Sequence, residues 1–535
     1  MRLLLLCTAA AIILAYACTI AIYRLFFHPL AKYPGPKLAA ITNWYPSFYA
    51  YRGDYHLKNR AWHDQYGDIV RAGPNTLWFN NRDALNDIYG IRANVRKVDA
   101  WAAYSASRRS PNVLSVIDKN VHSFKRRTLA AVFSQRGLKE IEGRILEHVE
   151  KFTDLLGTKD DSPSFLDASG WKSPKLMTQV CDWLSFDIIG DITYGKSFDM
   201  LRSPDLRWVP SVYSKMSHRG MACLAQPKVW QYKVDRIFLA PMYKDIVSAG
   251  TWVYERAKAR VGMGDDVETN DAFSIMMSAK DEKRGLEYSL KDLWTESMLL
   301  LAAGMKNLSL PETNFETDSD MFLGTDTTSA TMSALFFYLV HDRNALQRLA
   351  AEVRAAFSSE DEIRPGPELN SCTFLQACIN ETMRLIPAVP NGSPRCVLPG
   401  GLKVGDEVIP EGTTVATSLY VLMRRSDYFH NPDEFRPSRF IVDPAAGVDE
   451  ESVQAAQQAF VPFGIGPRSC VGWKLGWTEL NLALARTLFL YDMRLAPGAR
   501  CCATNTSAKN CEYHFKGWSI AYPVQGASVQ FKKRQ

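Results

Sequence analysis

The chain has 535 residues, of which 47% are apolar and 22% are charged, and its formal net charge is +6. This composition is ordinary for a folded protein and excludes a mainly disordered chain. The mild positive charge fits a basic patch for an acidic redox partner and fits equally well with no patch, and we expect no nucleic-acid partner. No paired-cysteine spacing or His/Cys cluster indicates zinc, so the eleven cysteines are expected to be reduced.

The N-terminus is an apolar run from Leu3 to Tyr23. Its length of about 21 residues is enough for a helix to cross the roughly 30 Å hydrocarbon core of a bilayer. Arg24, Lys32 and Lys37 follow the run, and the positive-inside rule then places the rest of the chain in the cytosol. Residues 1–25 are therefore predicted to be a membrane anchor.

A cleaved signal peptide is the alternative for this run, since Ala15 and Ala17 flank a tyrosine as small residues do at a cleavage site. The apolar run continues past that point to Tyr23, which favours the anchor. Prolines then predict a stiff, helix-breaking hinge over 26–40. No repeat, low-complexity tract or linker follows, so 41–535 is predicted to be one large domain.

The body is predicted to be mainly α with small β-sheets. Alternating apolar and polar residues at 68–79 predict a β-hairpin, and short strand-like runs lie at 394–417 and near the C-terminus. Helical periodicity is clear in several segments. They are 121–133, 138–156, 176–194 and a longer series from 273 onward.

A central apolar helix is predicted in two halves, 293–304 and 325–339. The polar segment 305–324, which contains Pro311, separates them. An irregular insert inside a buried helix conflicts with helix burial, because its backbone groups need partners and proline cannot continue the helix.

Two short motifs in the C-terminal half combine a glutamate with arginines. Glu381 and Arg384 are three residues apart in a helical pattern, so both lie on one face and can pair. Taken alone, such a pair is usually a solvated ion pair on a helix surface. The second motif, from Phe435 to Phe440, reads F-R-P-S-R-F and contributes Arg439.

The segment from Phe463 to Gly472 reads F-G-I-G-P-R-S-C-V-G and runs directly into an apolar helical pattern. Cys470 would lie at the N-terminal end of that helix, where unpaired N–H groups and the helix dipole stabilise a thiolate able to ligate a metal. The glycines allow backbone turns and close approach, and Arg468 can donate to a carboxylate. For most of the other cysteines a small buried hydrophobe is the simpler interpretation.

Together these motifs resemble the cytochrome P450 family of haem-thiolate monooxygenases, which carries F-x-x-G-x-R-x-C-x-G and E-x-x-R in relative positions like those found here. The resemblance covers nearly the whole chain after the N-terminal segment. It implies the cytochrome P450 fold, preceded by one transmembrane helix, with haem b bound through Cys470 as the metal ligand. It also implies that Glu381, Arg384 and Arg439 form a buried structural network behind the haem.

Further cofactor contacts are implied by the same resemblance. His122 and Arg126 lie in H-S-F-K-R-R, which is similar to the family's helix that contacts the haem propionates. A solvated basic face is the alternative for Lys125 and Arg127. The residues implied to bind the cofactor are His122, Arg126, Arg395, Phe463, Arg468, Cys470 and Gly472. The segment 94–119 resembles a region that covers the substrate, and a long surface loop is equally compatible with its composition.

The family's central helix carries (A/G)-G-x-(D/E)-T-(T/S), and the residues from Gly324 to Thr328 match this pattern. Reducing dioxygen to water takes protons, so an acid and a hydroxyl near the oxygen are needed to deliver them. Asp326 and Thr327 are assigned to that catalytic relay. Ordinary N-capping of a helix by Asp and Thr is the alternative.

Joining Gly304 directly to Thr325 would give a continuous helix that carries the full motif. We therefore hypothesise that 305–324 translate a retained intron. Codons for Gly304 and Met305 can contain a donor-like GTATG, codons for Leu323 and Gly324 an acceptor-like TAG, and removal keeps the reading frame. If the segment is present in the protein, the oxygen-activating groove is expected to be disrupted and activity to be weak.

The favoured function is a monooxygenase that oxidises a hydrophobic small molecule. The resemblance implies electrons from an NADPH-cytochrome P450 reductase in the endoplasmic reticulum membrane, since no G-x-G-x-x-G fingerprint follows a strand here. The N-terminal sequence is similar to that of filamentous-fungal members of the family. By analogy, we expect a role in secondary metabolism, with a terpenoid, polyketide or alkaloid as substrate.

Two alternatives differ in chemistry. One is a haem-thiolate isomerase or dehydratase without external electrons, which would have no use for the Asp326 and Thr327 relay. The other is a non-catalytic haem protein that binds gas.

Overall fold

A computed structural model describes residues 1–105, 107, 109–158, 170–263, 271–301, 326–444, 447–499 and 512–534. Across these residues the protein is mostly helical with small sheets, which confirms the predicted fold class. The segment 305–324 and the motif residues Gly324 and Thr325 lie outside the described residues.

The α-helices of the described chain are numbered in chain order. They are α1 (Arg2–Ile22), α2 (Lys37–Ile41), α3 (Trp44–Arg52), α4 (Tyr55–Tyr66), α5 (Asp83–Tyr89), α6 (Lys119–Val132), α7 (Gln135–Gly157), α8 (Met177–Tyr194), α9 (Val209–Ala225), α10 (Pro227–Gln231), α11 (Asp235–Phe238), α12 (Ala240–Gly262), α13 (Ala272–Ser278), α14 (Leu290–Leu301), α15 (Asp326–His341), α16 (Arg343–Ala356), α17 (Pro367–Ser371), α18 (Thr373–Leu385), α19 (Leu419–Leu422), α20 (Glu450–Ala459) and α21 (Trp473–Leu490).

The strands are short and form several small sheets. They are β1 (Ile69–Gly73), β2 (Thr76–Phe79), β3 (Val95–Lys97), β4 (Lys175–Leu176), β5 (Lys280–Asp281), β6 (Leu286–Glu287), β7 (Arg395–Val397), β8 (Leu402–Val404), β9 (Glu407–Ile409), β10 (Thr414–Thr417), β11 (Tyr491–Leu495), β12 (Phe515–Gly517), β13 (Ala521–Pro523) and β14 (Ser528–Lys533). The largest sheet has the order β1-β2-β10-β7-β3, and β11-β14-β4 form a second sheet. The predicted hairpin at 68–79 is confirmed by the antiparallel pairing of β1 with β2.

The N-terminal helix leaves the rest of the protein, and none of its residues is buried. The continuous helical segment Arg2–Phe27 is long and apolar enough to cross a membrane. The predicted hinge at 26–40 packs against the large domain that follows it. Leu30 and Tyr33 are buried in the core beside the largest sheet, and Arg71 Nη1 donates to the carbonyl of Arg24 at 2.7 Å.

Helix α7 shows why the predicted helices form where they do. Its buried side chains recur every three or four residues, as at Ile141, Ile145, Val149 and Phe152, so one face packs on the core. The Ser134 hydroxyl caps its first turn by accepting the N–H of Gly137 at 3.0 Å. Helices α6, α7 and α8 confirm the predicted segments to within three residues at each end.

Helix α15 is the centre of the main core. Its residues from Thr328 to Leu339 are all buried, and it packs against α8, α18 and α21. Between Asp326 and His341 its sequence carries no charged side chain, as expected of a helix surrounded by protein on every side. Helix α14 also packs against α8, so the two halves of the predicted central helix share one supporting helix.

Glu381 and Arg384 are fully buried and do not form a solvated surface pair. Arg384 Nε lies 2.7 Å from Glu381 Oε2, and Arg439 Nε lies 2.9 Å from Glu381 Oε1. The N–H of Arg436 also donates to this carboxylate, at 2.8 Å. One carboxylate therefore joins α18 to the irregular chain that precedes α20.

Replacing that carboxylate with an amide, Glu381→Gln, leaves two buried guanidinium groups without their counter-charge. We expect the free energy of unfolding to fall by about 3 to 5 kcal/mol, because an uncompensated buried charge is strongly destabilising. Chemical denaturation of the detergent-solubilised protein measures the change. Glu287→Gln is the control, because it removes the same charge from the exposed pair that Glu287 forms with Lys280. A fall in its free energy of unfolding of more than about 1 kcal/mol would contradict the argument from burial.

Candidate active site

An internal cavity of about 320 Å³ lies between α6, α15, α21 and the loop before α21. Much of its wall is apolar. Apolar lining residues include Val113, Leu114, Ile189, Leu299, Leu300 and Val389. The predicted site residues that line it are His122, Arg126, Arg395, Phe463, Arg468, Cys470, Gly472 and Thr327. Asp326 and the network of Glu381, Arg384 and Arg439 are not part of the lining.

The loop that carries Cys470 is held by its own backbone. The Cys470 N–H donates to the carbonyl of Phe463 at 2.8 Å, which closes the loop. Gly464 and Gly466 have φ values of 67° and 72°, in the left-handed region that favours glycine. A Cβ on Gly466 would lie 2.0 Å from the carbonyl oxygen of Tyr89, so close approach also requires glycine there.

Cys470 is exposed to the cavity and lies just before the first turn of α21. Burial raises the pKa of its thiol, while the N–H of Gly472 and the charge of Arg126 lower it. The stabilisation expected from the helix start is therefore present, but it is smaller than the cost of burying an anion. A metal cation at the sulfur would supply the opposite charge that deprotonation needs.

Basic side chains converge on one end of the cavity. Burial lowers the pKa of His122 to about 3, and the charges of Arg468 and Lys97 lower it further in the same direction. Burial, followed by Arg395 and Arg126, lowers the pKa of Arg468 to about 10. Arg126, Arg395 and Arg468 repel one another because they share a water-poor space, and the His122 ring is neutral there.

The hydrogen bonds of these arginines go mainly to neutral acceptors. Arg126 Nη1 donates to the carbonyl of Ser469 at 2.5 Å, and Arg468 Nη1 donates to that of Val116 at 2.7 Å. Arg395 Nη1 donates to Ser393 Oγ at 2.7 Å. The cavity thus combines a thiol, apolar walls and largely uncompensated positive charge. These features fit haem, whose metal takes a thiolate and whose two carboxylates need cations.

Lys97 belongs to this basic group and was missed by sequence reasoning. It is buried, its Nζ donates to the carbonyl of Leu114, and burial followed by Arg468 and Arg395 holds its pKa well below the usual range. In the pairing of β3 with β7, Lys97 is directly opposite Arg395, which places both on one face of the sheet. No pattern within 94–119 reveals this pairing.

The segment 94–119 is not simply a surface loop. Trp101 and Tyr104 are buried, and Val113 and Leu114 line the cavity. The solvated alternative for Lys125 is also wrong, since its Nζ lies 3.0 Å from both Asp292 and Glu296 and its side chain is 4% exposed. Arg127 does lie on the surface, where it pairs with Asp281.

Asp326 and Thr327 point to different surroundings at the start of α15. Thr327 lines the cavity with Thr328, and the carbonyl of Thr327 accepts a hydrogen bond from Thr331 Oγ1 at 2.9 Å. Asp326 is buried behind the lining, where its Oδ2 accepts a hydrogen bond from the Tyr522 hydroxyl. Burial, followed by the charge of Asp182, raises the pKa of Asp326 well above its usual range.

Two further acids, half-buried Asp182 and buried Glu479, lie close to α15. Burial raises the pKa of Asp182 to about 7, although the Ser329 hydroxyl opposes the shift. Burial raises the pKa of Glu479 to about 8, with Ser185 opposing, and Glu479 Oε2 has no hydrogen-bond partner among the residues that the structure describes. Glu479 also lines the cavity. The sequence signal that could have identified these two acids is an acidic residue within a largely apolar helical pattern, Asp182 in α8 and Glu479 in α21.

Comparisons with known proteins place the chain in one family. A family model described as Cytochrome P450 matches residues 34–508. The chain is 35% identical over 495 residues to cytochrome P450 monooxygenase AKT7 of Alternaria alternata, covering 92% of the chain and 90% of the relative. It is 32% identical over 538 residues to cytochrome P450 monooxygenase apf7 of Gibberella fujikuroi, covering 98% and 97%. It is 32% identical over 483 residues to cytochrome P450 monooxygenase poxM of Penicillium oxalicum, covering 90% and 88%.

Glu479 gives the site a pH-dependent stability. Its pKa in the folded protein, about 8, is above its ordinary value of 4.5, so the folded state keeps a proton that the unfolded state releases. The resulting stabilisation is complete below about pH 4.5 and is lost as the pH rises through about 8, by roughly 3 to 5 kcal/mol. Glu479→Gln is expected to remove this part of the decline.

Denaturation midpoints and slopes between about pH 5 and pH 9 give the comparison with wild type. Glu287→Gln, which changes an exposed glutamate, serves as the control and should keep the wild-type profile. A Glu479→Gln profile parallel to that of wild type would show that Glu479 ionises normally.

Proposed function

Because this protein belongs to the cytochrome P450 family and is a haem b monooxygenase, we propose that it oxidises a hydrophobic small molecule in fungal secondary metabolism. A terpenoid, polyketide or alkaloid is the substrate class we favour. The observation that carries the proposal is the convergence of the Cys470 thiol, uncompensated cations and the Thr327 hydroxyl on one apolar cavity. The relatives come from fungi and are named monooxygenases.

Haem b, when bound, supplies the activation of dioxygen and the transfer of one oxygen atom to the substrate. Cys470 would hold the metal through its sulfur, and Phe463 would pack near that sulfur. Arg126, Arg395 and Arg468 would hold the carboxylates, and the charge they share makes an anionic ligand favourable.

His122 and Lys97 would support the same end of the ligand. Their pKa values are lowered by burial and by the neighbouring arginines. The carboxylates of the bound ligand would therefore stabilise the protonated form of both side chains. His122 would then donate a hydrogen bond rather than remain a buried neutral ring. Gly472 would help Cys470 by aiming its N–H at the sulfur.

Proton delivery would use the start of α15. Thr327 borders the cavity, and Asp326 stands behind it as an acid whose pKa is raised well above its usual range by burial and by Asp182. An acid of this kind can release a proton towards the cavity and regain it, which is the role a general acid needs. Asp326 and Thr327 would therefore act in sequence.

The electrons would come from an NADPH-cytochrome P450 reductase in the endoplasmic reticulum membrane. The apolar helix α1 supports attachment to that membrane, with the body on the cytosolic side. An isomerase or dehydratase of the same family would need neither the reductase nor a proton relay. The cavity position of Thr327 and the buried acid behind it favour the monooxygenase.

Cys470→Ser tests the site directly. The variant is expected to lose the thiolate-type Soret band of the reduced, carbon-monoxide-treated protein, because a serine hydroxyl does not replace the thiolate. Difference spectroscopy at equal haem content measures it. Cys396→Ser, at a half-buried cysteine outside the cavity lining, should keep the wild-type band. An unaltered band in Cys470→Ser would remove the basis of the assignment.

Labelled dioxygen then separates the monooxygenase from the isomerase or dehydratase. Wild-type protein, reductase and NADPH are incubated with a panel of hydrophobic terpenoids, polyketides and alkaloids. Label in an NADPH-dependent product supports the proposal, and a product formed without NADPH and without label contradicts it.

We also propose that 305–324 are absent from the mature protein. Helix α14 ends before this segment and helix α15 begins after it. Both helices pack on α8, as two parts of one helix would. Sequencing transcripts from producing cultures is expected to show Gly304 joined to Thr325. Codons for 305–324 in the bulk of the mature message would contradict the proposal, and the genomic copy provides the control.

A further inference from the structure

Tyr522 connects the C-terminal hairpin to the buried acid at the start of α15. It lies in β13, and its hydroxyl donates to Asp326 Oδ2. Asp326 is only 6% exposed, whereas Tyr522 is half-buried and its ring lies 5.9 Å from that of Trp518. The phenol therefore stands between a buried carboxyl and the outside of the core.

We propose that Tyr522 passes protons from solvent to Asp326. The inference rests on the proposed role of Asp326 as the acid of the relay, and it adds the residue that would recharge that acid. Tyr522 acts through Asp326 and lines no part of the cavity among the residues described there.

The transfer balances without any oxidant or reductant. Once Asp326 has given its proton towards the cavity, the O–H bond of Tyr522 breaks and an O–H bond forms at Asp326 Oδ2. At the same time a solvent proton binds the Tyr522 oxygen, so the phenol remains neutral. Each bonding electron pair stays on the oxygen that it started on.

The surroundings of Asp326 favour rapid reprotonation. Burial and Asp182 both disfavour its anion and raise its pKa, and the Tyr522 hydrogen bond is the influence that opposes them. Among the residues that the structure describes, none of these influences comes from a basic side chain, so a deprotonated Asp326 would lack a counter-charge from that part of the chain. Tyr522 is the group positioned to relieve that anion.

The hairpin does not depend on this hydrogen bond for its position. The Ala521 N–H donates to the carbonyl of Ala388 at 2.9 Å, and the Ile520 N–H donates to Ser217 Oγ at 3.1 Å. Strand β13 also pairs with β12 in regular antiparallel register. The hairpin is thus held in place by backbone contacts of its own, in addition to the Tyr522 hydrogen bond.

The experiment measures how fast the Asp326 carboxyl exchanges its proton after oxidised holoprotein is mixed with D2O. Infrared difference spectroscopy follows the carboxylic C=O band, which Asp326→Asn identifies by removing it. Tyr522→Phe is expected to slow the exchange at least about tenfold, since the positioned donor is gone. The same band should also shift to higher frequency because it loses a hydrogen bond.

Tyr513→Phe is the matched control. Tyr513 is buried and shares a hydrogen bond of 2.9 Å with Ser333 on the same helix, away from Asp326. Its variant should exchange at the wild-type rate. Equal or faster exchange in Tyr522→Phe, or equal slowing in both variants, would overturn the proposal.

A second measurement covers the case in which Tyr522→Phe does not fold. Fluorotyrosine placed at 522 keeps the hydroxyl but makes it more acidic, so exchange should become faster, and an unchanged rate would contradict the proposal. The exchange is measured without reductase or turnover. A failure of the monooxygenase assignment, seen in the Cys470→Ser spectrum, is therefore distinguishable from a failure of this inference.

Discussion

The carboxylate of Glu381 is the interaction on which the site's framework depends. It binds both Arg384 and Arg439, and these guanidinium groups in turn donate to the carbonyls of Met423 and His430. The chain between α19 and α20 has little regular structure, so its buried carbonyls need donors from side chains. Two arginines held by one glutamate supply them. Helix α20 packs on this segment, and the loop carrying Cys470 follows α20.

A second constraint is the balance of charge inside the cavity. Around one end the structure places the buried side chains of Lys97, His122 and Arg395 and the half-buried ones of Arg126 and Arg468, while Glu479 is the acidic residue among the described lining. Like charges gathered in this way repel one another, and a dianionic ligand offsets that repulsion. The same residues thus give the cavity affinity for haem. Binding and folding should therefore be coupled in this protein.

Local sequence was sufficient for much of the fold and for part of the site. Amphipathic periodicity predicts α7 because the apolar residues of its buried face recur every three or four positions within the helix. The conformation of the loop around Cys470 depends on glycines only a few residues away. Lys97 and Tyr522 could not be found in this way. Lys97 owes its position to pairing with β7, and Tyr522 meets Asp326 across 196 residues of chain. Neither contact leaves a periodic pattern.

The groups that would hold haem and those that would deliver protons stand on different parts of the protein. Arg126 comes from α6, Arg395 from β7 and Cys470 from the loop before α21. Asp326 and Thr327, in contrast, are the first two residues of α15. The segment 305–324 precedes α15 in the sequence and belongs to none of the elements that carry Arg126, Arg395 and Cys470. Its proposed removal therefore concerns the element that carries the relay rather than the elements that would hold the cofactor.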